Sequence, residues 1–266
     1  MSITLPLGER YLPGVSFLHR LDARTKLAGA FAFIFTATLI PFGRWPALAA
    51  MAALLALIAF AARLSPVLIA RRSALALPFL LVALPLLFLK DGDELFSLPL
   101  LAWRLEVTDA GTVAAGSILA KALLSVAAAV ILTTTTAPLD LLRALRSLGV
   151  PRIIVATVLF MYRYIFVIVD EAMRLLRARE SRSARAGRGS GGPVAWRAKV
   201  LGNMVGSLFL RSYERSERVF AAMTARGFRG EVRPLAAPAM TVGDWLALAL
   251  LVACLAVVLI YARVSL

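Results

Sequence analysis

Long uncharged runs separated by short charged connections set the rhythm of this chain. Leu27–Gly43, Trp45–Ala62, Ser73–Leu89 and Ala110–Ala137 contain one charged residue among them, Lys121. Each is close to the roughly 20 residues that cross a hydrocarbon core as a helix. Arg44, flanked by Pro41 and Pro46, marks a turn, and Pro78 and Pro85 kink the third run. Such kinks are tolerated where neighbouring helices satisfy the freed carbonyls. A last run, Val242–Ala262, is apolar apart from Asp244. Strand-like alternation is nowhere sustained, which excludes an outer-membrane barrel.

Between Pro138 and Arg233 the pattern changes. Pro138–Pro151 predicts a short amphipathic helix: Leu141, Leu142, Leu145 and Leu148 share a face, Pro138 opens it, and Gly149 with Pro151 closes it. Lying along the membrane interface suits it. Ile153–Val169 is apolar except for Arg163 and runs without a breaker into an amphipathic stretch ending at Ser181-Arg182-Ser183. About thirty helical residues span ~45 Å, more than a ~30 Å hydrocarbon core, so part of this helix lies in water or runs obliquely. Ala184–Pro193, with four glycines and a proline, reads as a flexible basic linker; it lacks the Gly-Lys-Ser/Thr ending of a phosphate loop. A second long helix follows over Trp196–Gly227. Along it Phe209, Tyr213, Ser216, Phe220, Met223 and Gly227 recur at helical seam spacing, as in a helix packed on another. Gly202 and Gly206 would admit a close helix neighbour. Asp170 with Arg174, and Glu214 with Arg218, are expected i,i+4 pairs.

Composition places this pattern in a bilayer. The 266 residues are 61% hydrophobic, against roughly 45–50% for globular chains. The net charge of +15 is concentrated: residues 138–233 hold 18 Lys/Arg against 7 Asp/Glu. By the positive-inside rule that region is cytoplasmic, as is the loop with Arg63, Arg71 and Arg72, while the acidic connection Lys90–Asp109 is external. Nucleic-acid binding is not expected, because the basic region has no base-reading aromatic face. Residues 1–22 have no apolar core of signal-peptide length.

The fold class expected is therefore an all-α polytopic membrane protein. It has about five transmembrane helices plus a cytoplasmic-side region of one short and two long crossed helices. The divisions are 1–26, a cytoplasmic N-terminal segment; 27–137, a four-helix transmembrane region; 138–233, the arginine-rich helical region; and 234–266, a C-terminal transmembrane helix. Whether 153–169 crosses the bilayer decides on which side the C-terminus lies.

Candidate chemistry is sparse. One histidine (His19) and one cysteine (Cys254) rule out a disulfide within the chain and a Cys/His metal cluster. No catalytic residue, metal ligand or cofactor site is expected, and a membrane enzyme would need paired acids or a nucleophile with a base. Lys121, mid-span, is a functional candidate by its depth, but the Ser117, Ser125 and Thr133–Thr136 hydroxyls on its helix favour a structural amine bonded to carbonyls or an acid. The two arginine-centred tripeptides, Ser181-Arg182-Ser183 and Ala225-Arg226-Gly227, each end a long helix. Cations there complement the helix dipole without further function. Their repetition at two matched helix ends, with small neighbours leaving the guanidinium unshielded, points instead to docking in a partner's groove.

Three stretches carry a family resemblance: Leu18-His-Arg-Leu-Asp-Ala-Arg-Thr-Lys-Leu27, the helix Pro138–Pro151, and Ser216-Glu-Arg-Val-Phe-Ala-Ala-Met-Thr-Ala-Arg-Gly-Phe-Arg-Gly230. In that order they resemble the transmembrane T component of energy-coupling factor (ECF) transporters, most closely its cobalt-transport member CbiQ. The resemblance implies a non-catalytic membrane scaffold without cofactors. Its partners would be two ABC-type ATPase subunits (CbiO-like) and a separate substrate-binding membrane subunit (CbiM-like, with or without a small CbiN-like subunit). It implies that Arg182 and Arg226 dock the ATPases, with Arg179 or Arg185 as alternatives for the first. It also maps the N-terminal motif onto Asp22, Arg24 and Lys26, and makes Phe209, Tyr213, Phe220 and Met223 the seam that passes motion on. A T component serving biotin or other vitamins fits the same residues. A conventional ABC permease would need several intramembrane polar groups, where this chain offers Lys121, Arg163 and a threonine run.

Overall fold

The structure is a computed structural model that describes residues 16–74, 85, 94–100, 103–182, 193–230 and 240–264. Its described helices are α1 (Phe17–Arg20), α2 (Ala23–Leu39), α3 (Trp45–Ala61), α4 (Pro66–Ser73), α5 (Asp109–Thr135), α6 (Pro138–Ser147), α7 (Arg152–Arg182), α8 (Val194–Ala225) and α9 (Val242–Val264). The protein is an all-α membrane protein by architecture, with one small addition. In the connection read as acidic and external, β1 (Glu94–Leu100) and β2 (Trp103–Thr108) form an antiparallel hairpin, with Leu100 opposite Trp103 and an irregularity between Glu94 and Phe96. Pro99 and that irregularity interrupt the period-two pattern by which a strand is recognised. Most of the run Ser73–Leu89 lies outside the described residues.

Two compact units divide the chain, one comprising residues 1–144 with 238–266 and the other 145–237, so the boundary falls within α6. In the first unit α2, α3, α5 and α9 pack around Phe33, Ala37, Ile40, Leu48, Met51, Ile131 and Leu255. Small residues allow this closeness, as they do between helices in lipid generally. A Cβ on Gly116 would come within 2.9 Å of the Trp45 ring, and one on Gly29 within 2.8 Å of Leu251. Buried hydroxyls bond back to their own helix: Thr36 to the Ala32 carbonyl (2.8 Å), Thr134 to that of Val130 (2.8 Å) and Thr135 to that of Ile131 (2.8 Å). Large apolar side chains such as Phe31, Phe35, Leu57, Phe60 and Leu250 point outward, as they would towards lipid tails.

The α2–α3 turn is fastened from α5. Gly43, at φ +79°, donates its N–H to the Ser117 hydroxyl (3.0 Å). The Lys121 amine donates to the carbonyls of Ile40 and Thr38, which end α2, and lies 4.7 Å from the centre of the Phe42 ring. Lys121 therefore serves as the C-terminal partner of a neighbouring helix, with a cation–π contact added.

In the second unit α7 and α8 run antiparallel. Phe160 and Phe228 meet edge to face (6.0 Å between centroids), and Glu171 and Arg211 form an ion pair of 2.8 Å. Arg174 joins Glu171 (3.9 Å) rather than Asp170, whereas Glu214 and Arg218 pair (3.8 Å). Three described helices are long and apolar enough to cross a membrane: α5, α9, and α7 over Arg152–Ser181.

Candidate functional site

Of the two arginine-ended helices, α8 stops for a local reason that the structure shows. At α8 the stop is fully described. Arg226 is the C-cap residue, and Gly227 follows at φ +84°. The Phe228 N–H reaches the Met223 carbonyl (3.0 Å) and the Gly227 N–H that of Thr224 (2.9 Å). These are the two bonds of a Schellman terminator. Nothing lies within 4 Å of where a Gly227 side chain would begin, so glycine is required there for its left-handed backbone and not for space. Phe228, the residue after, is the one that packs on Phe160. The tripeptide thus fixes a rigid helix end with Ala225, Arg226 and Gly227 all exposed. A guanidinium held at such an end on small neighbours can enter a groove with little loss of its own freedom.

The same terminator ends α6. Gly149 sits at φ +93°, with the Val150 N–H on the Leu145 carbonyl (3.3 Å) and the Gly149 N–H on that of Arg146 (3.4 Å). Ala144 is buried, while Leu141, Leu142 and Leu145 are half-buried and Leu148 is exposed.

At α7, Arg182 is the final helical residue and Ser181 is exposed, its hydroxyl on the Ala178 carbonyl (3.0 Å). Arg179 is half-buried. Ser183 and Arg185 lie outside the described residues, as does most of the linker. Arg182 lies 11 residues beyond Glu171, and Arg226 15 residues beyond Arg211, in opposite directions. At 1.5 Å per residue the two arginines stand roughly 40 Å apart along the pair.

Most of the expected seam is exposed among the described residues. Phe209, Tyr213 and Phe220 are 66%, 55% and 59% exposed, Ser216 is exposed too, and only Met223 is half-covered. The partly covered side of α8 instead runs through Val200, Met204, Leu208, Ser212, Val219 and Met223. α8 carries two apolar stripes, offset by about one residue. One is partly covered, and the 209–213–220 stripe is exposed among the described residues.

The N-terminal motif is a polar joint. Asp22 caps α2, accepting from the Arg24 N–H (2.8 Å), with the Arg24 side chain 4.0 Å away. Lys26 donates to the Thr135 carbonyl at the end of α5 (3.1 Å) and to that of His19 (3.3 Å). Burial holds the Lys26 amine below the ordinary lysine range, against the opposing pull of Asp140, Asp22 and Asp244. His19 bonds the Ser16 hydroxyl (2.6 Å). Sequence reasoning did not single out Asp244, whose carboxylate accepts from the backbone N–H of Asp22 (2.9 Å). The signal for its local half was present: Thr241-Val-Gly-Asp244 ahead of an apolar run is a capping-box spacing.

A helical bundle with membrane-crossing helices, carried in one chain with a long arginine-ended helix pair, places the chain among polytopic α-helical membrane proteins. Comparison with known proteins specifies it. Residues 14–235 match the family described as CbiQ, cobalt transport protein. The energy-coupling factor transporter transmembrane protein EcfT of Limosilactobacillus fermentum is 31% identical over 231 residues, covering 82% of each chain. Those of Listeria innocua (28%, 83% of this chain and 84% of the relative) and Brevibacillus brevis (29%, 86% of each) are similar. The chain belongs to the CbiQ/EcfT family, the T components of ECF transporters.

Proposed function

We propose that this chain is the T subunit of an ECF transporter importing cobalt. It would link two CbiO-like ATPase subunits to a CbiM-like substrate-binding membrane subunit in the bacterial cell membrane. The observation that carries the docking role is the exposed, glycine-terminated end of α8 at Arg226, with Arg182 at the opposite end of the antiparallel pair. Two arginines roughly 40 Å apart suit two partner subunits better than one. The cobalt assignment is supported by the description of the matched family as cobalt transport proteins. A T component serving vitamins is the second reading, left open by EcfT relatives whose names specify no cargo.

The helix pair lies on the cytoplasmic face in this reading, and α7 does not cross. The contacts Phe160–Phe228 and Glu171–Arg211 hold the last turns of α8 beside the apolar half of α7. Those turns carry Arg211, Glu214, Arg215, Glu217 and Arg218, all exposed, and Arg163 is exposed on α7 itself. Each arginine taken to the bilayer centre costs at least ~2.5–3.5 kcal/mol, so the pair is stable along the interface and not through it. The chain then enters α9 from the cytoplasm and ends outside.

The test is co-purification of the ATPases with the full chain. Arg226→Glu is expected to remove at least one ATPase subunit, and Arg182→Glu with Arg226→Glu to remove both. An intact, ATP-hydrolysing complex from the double reversal would sink the docking role. Uptake of radiolabelled cobalt, compared with biotin, decides the cargo.

A further inference from the structure

Asp244 is 4% exposed, and both of its carboxylate oxygens are engaged. Oδ2 accepts from the backbone N–H of Thr241 (2.8 Å) and from its hydroxyl (2.7 Å), which closes a capping box at the start of α9. That box needs only one oxygen. Oδ1 is turned to the backbone N–H of Asp22, 222 residues earlier, at the start of α2. Asp22 in turn starts the helix turn from which Lys26 reaches the Thr135 carbonyl, the last of α5. Two residues beyond lies Ala137, whose carbonyl receives the Asp140 and Leu141 N–H groups and so begins α6. Starts of three helices and the end of a fourth are thereby connected through one buried acid and one lysine.

We propose that Asp244 is a positioning residue of the transporter: it places the first turn of α2 so that Lys26 secures the end of α5, and order at the start of α9 is transmitted to the start of α6. A capping acid acting only on its own helix would not need the Asp22 contact. Transmission rests on the T-component reading for its use, since α6 leads into the arginine-ended pair, but the positioning itself does not.

Hydrogen exchange on the full chain in lipid nanodiscs tests it. In Asp244→Ala, exchange at residues 22–27 and again at 138–142 should quicken about tenfold or more, local opening being read directly by amide protection. Asp244→Asn should restore protection at both segments, because its carbonyl oxygen can still accept from Asp22. Faster exchange confined to residues 241–246 would overturn the proposal. If Asp244→Ala does not fold, Lys26→Met decides: quickened exchange at 138–142 supports the joint, and an unchanged rate there overturns it. In the complex, a non-hydrolysable ATP analogue should alter exchange at 22–27 in the wild type and not in Asp244→Ala, with ATPase subunits still bound. Absence of ATPase subunits from the wild-type complex would count against the proposed function, not against the joint.

Discussion

The bundle of α2, α3, α5 and α9 and the pair of α7 and α8 both carry glycines on helices with apolar stripes, yet they use them oppositely. In the bundle, Gly29 and Gly116 are occupied by neighbours at contact distance, and polar groups turn inward onto carbonyls. In the pair, Gly202 and Gly206 face open space, and no residue of α8 is buried. A helical glycine therefore means a filled contact in one place and an open one in the other. The comparison teaches that a helix pattern records what a face can bind, and the bundle has met its partners within the chain.

That contrast can be broken from either side. Lys121→Met should show the largest effect on the bundle. It leaves the Ile40 and Thr38 carbonyls without their partner, a loss of about 1–3 kcal/mol, read as a lower thermal midpoint in detergent with ATPase binding intact. Gly227→Ala should act on the pair. A left-handed alanine costs roughly 1–2 kcal/mol, so the end of α8 is expected to fray and ATPase affinity to drop, with the bundle unfolding unchanged. Smallest is Arg211→Met, which removes an ion pair exposed on its arginine side, of about 0.2–1 kcal/mol; a change larger than this in the unfolding of α8 would mean that the ion pair, and not Phe160 with Phe228, holds the helices together.

Much of the layout is legible in the residues because its signals are local. Pro138, Gly149 and Pro151 bound α6, and Ala225-Arg226-Gly227 marks the end of α8, since proline and glycine act on their own backbone. Lys121 as a carbonyl partner follows from the cost of an unbonded amine at depth. The contact between Asp22 and Asp244 is not legible, because nothing in either segment encodes a partner 222 residues away. What packs on the exposed stripe of α8 is not legible for another reason. Hydrophobic periodicity identifies an apolar stripe, but lipid, a sister helix and a separate subunit all satisfy it equally. The β1–β2 hairpin escaped because a proline and an irregular register break the alternation within seven residues.

The adjacency of α2 and α9 also bears on how the protein is made. Leu255 and Ala262 belong to the same core as Phe33 and Ala37, so the first helix cannot complete its packing until the last has emerged. At about 5–20 residues per second, α2 waits roughly 10–45 s in the membrane with one side unfilled. During that interval the nascent chain depends on the insertion machinery or on lipid to shield it, and a ribosome stalled before α9 would release a bundle lacking its final wall.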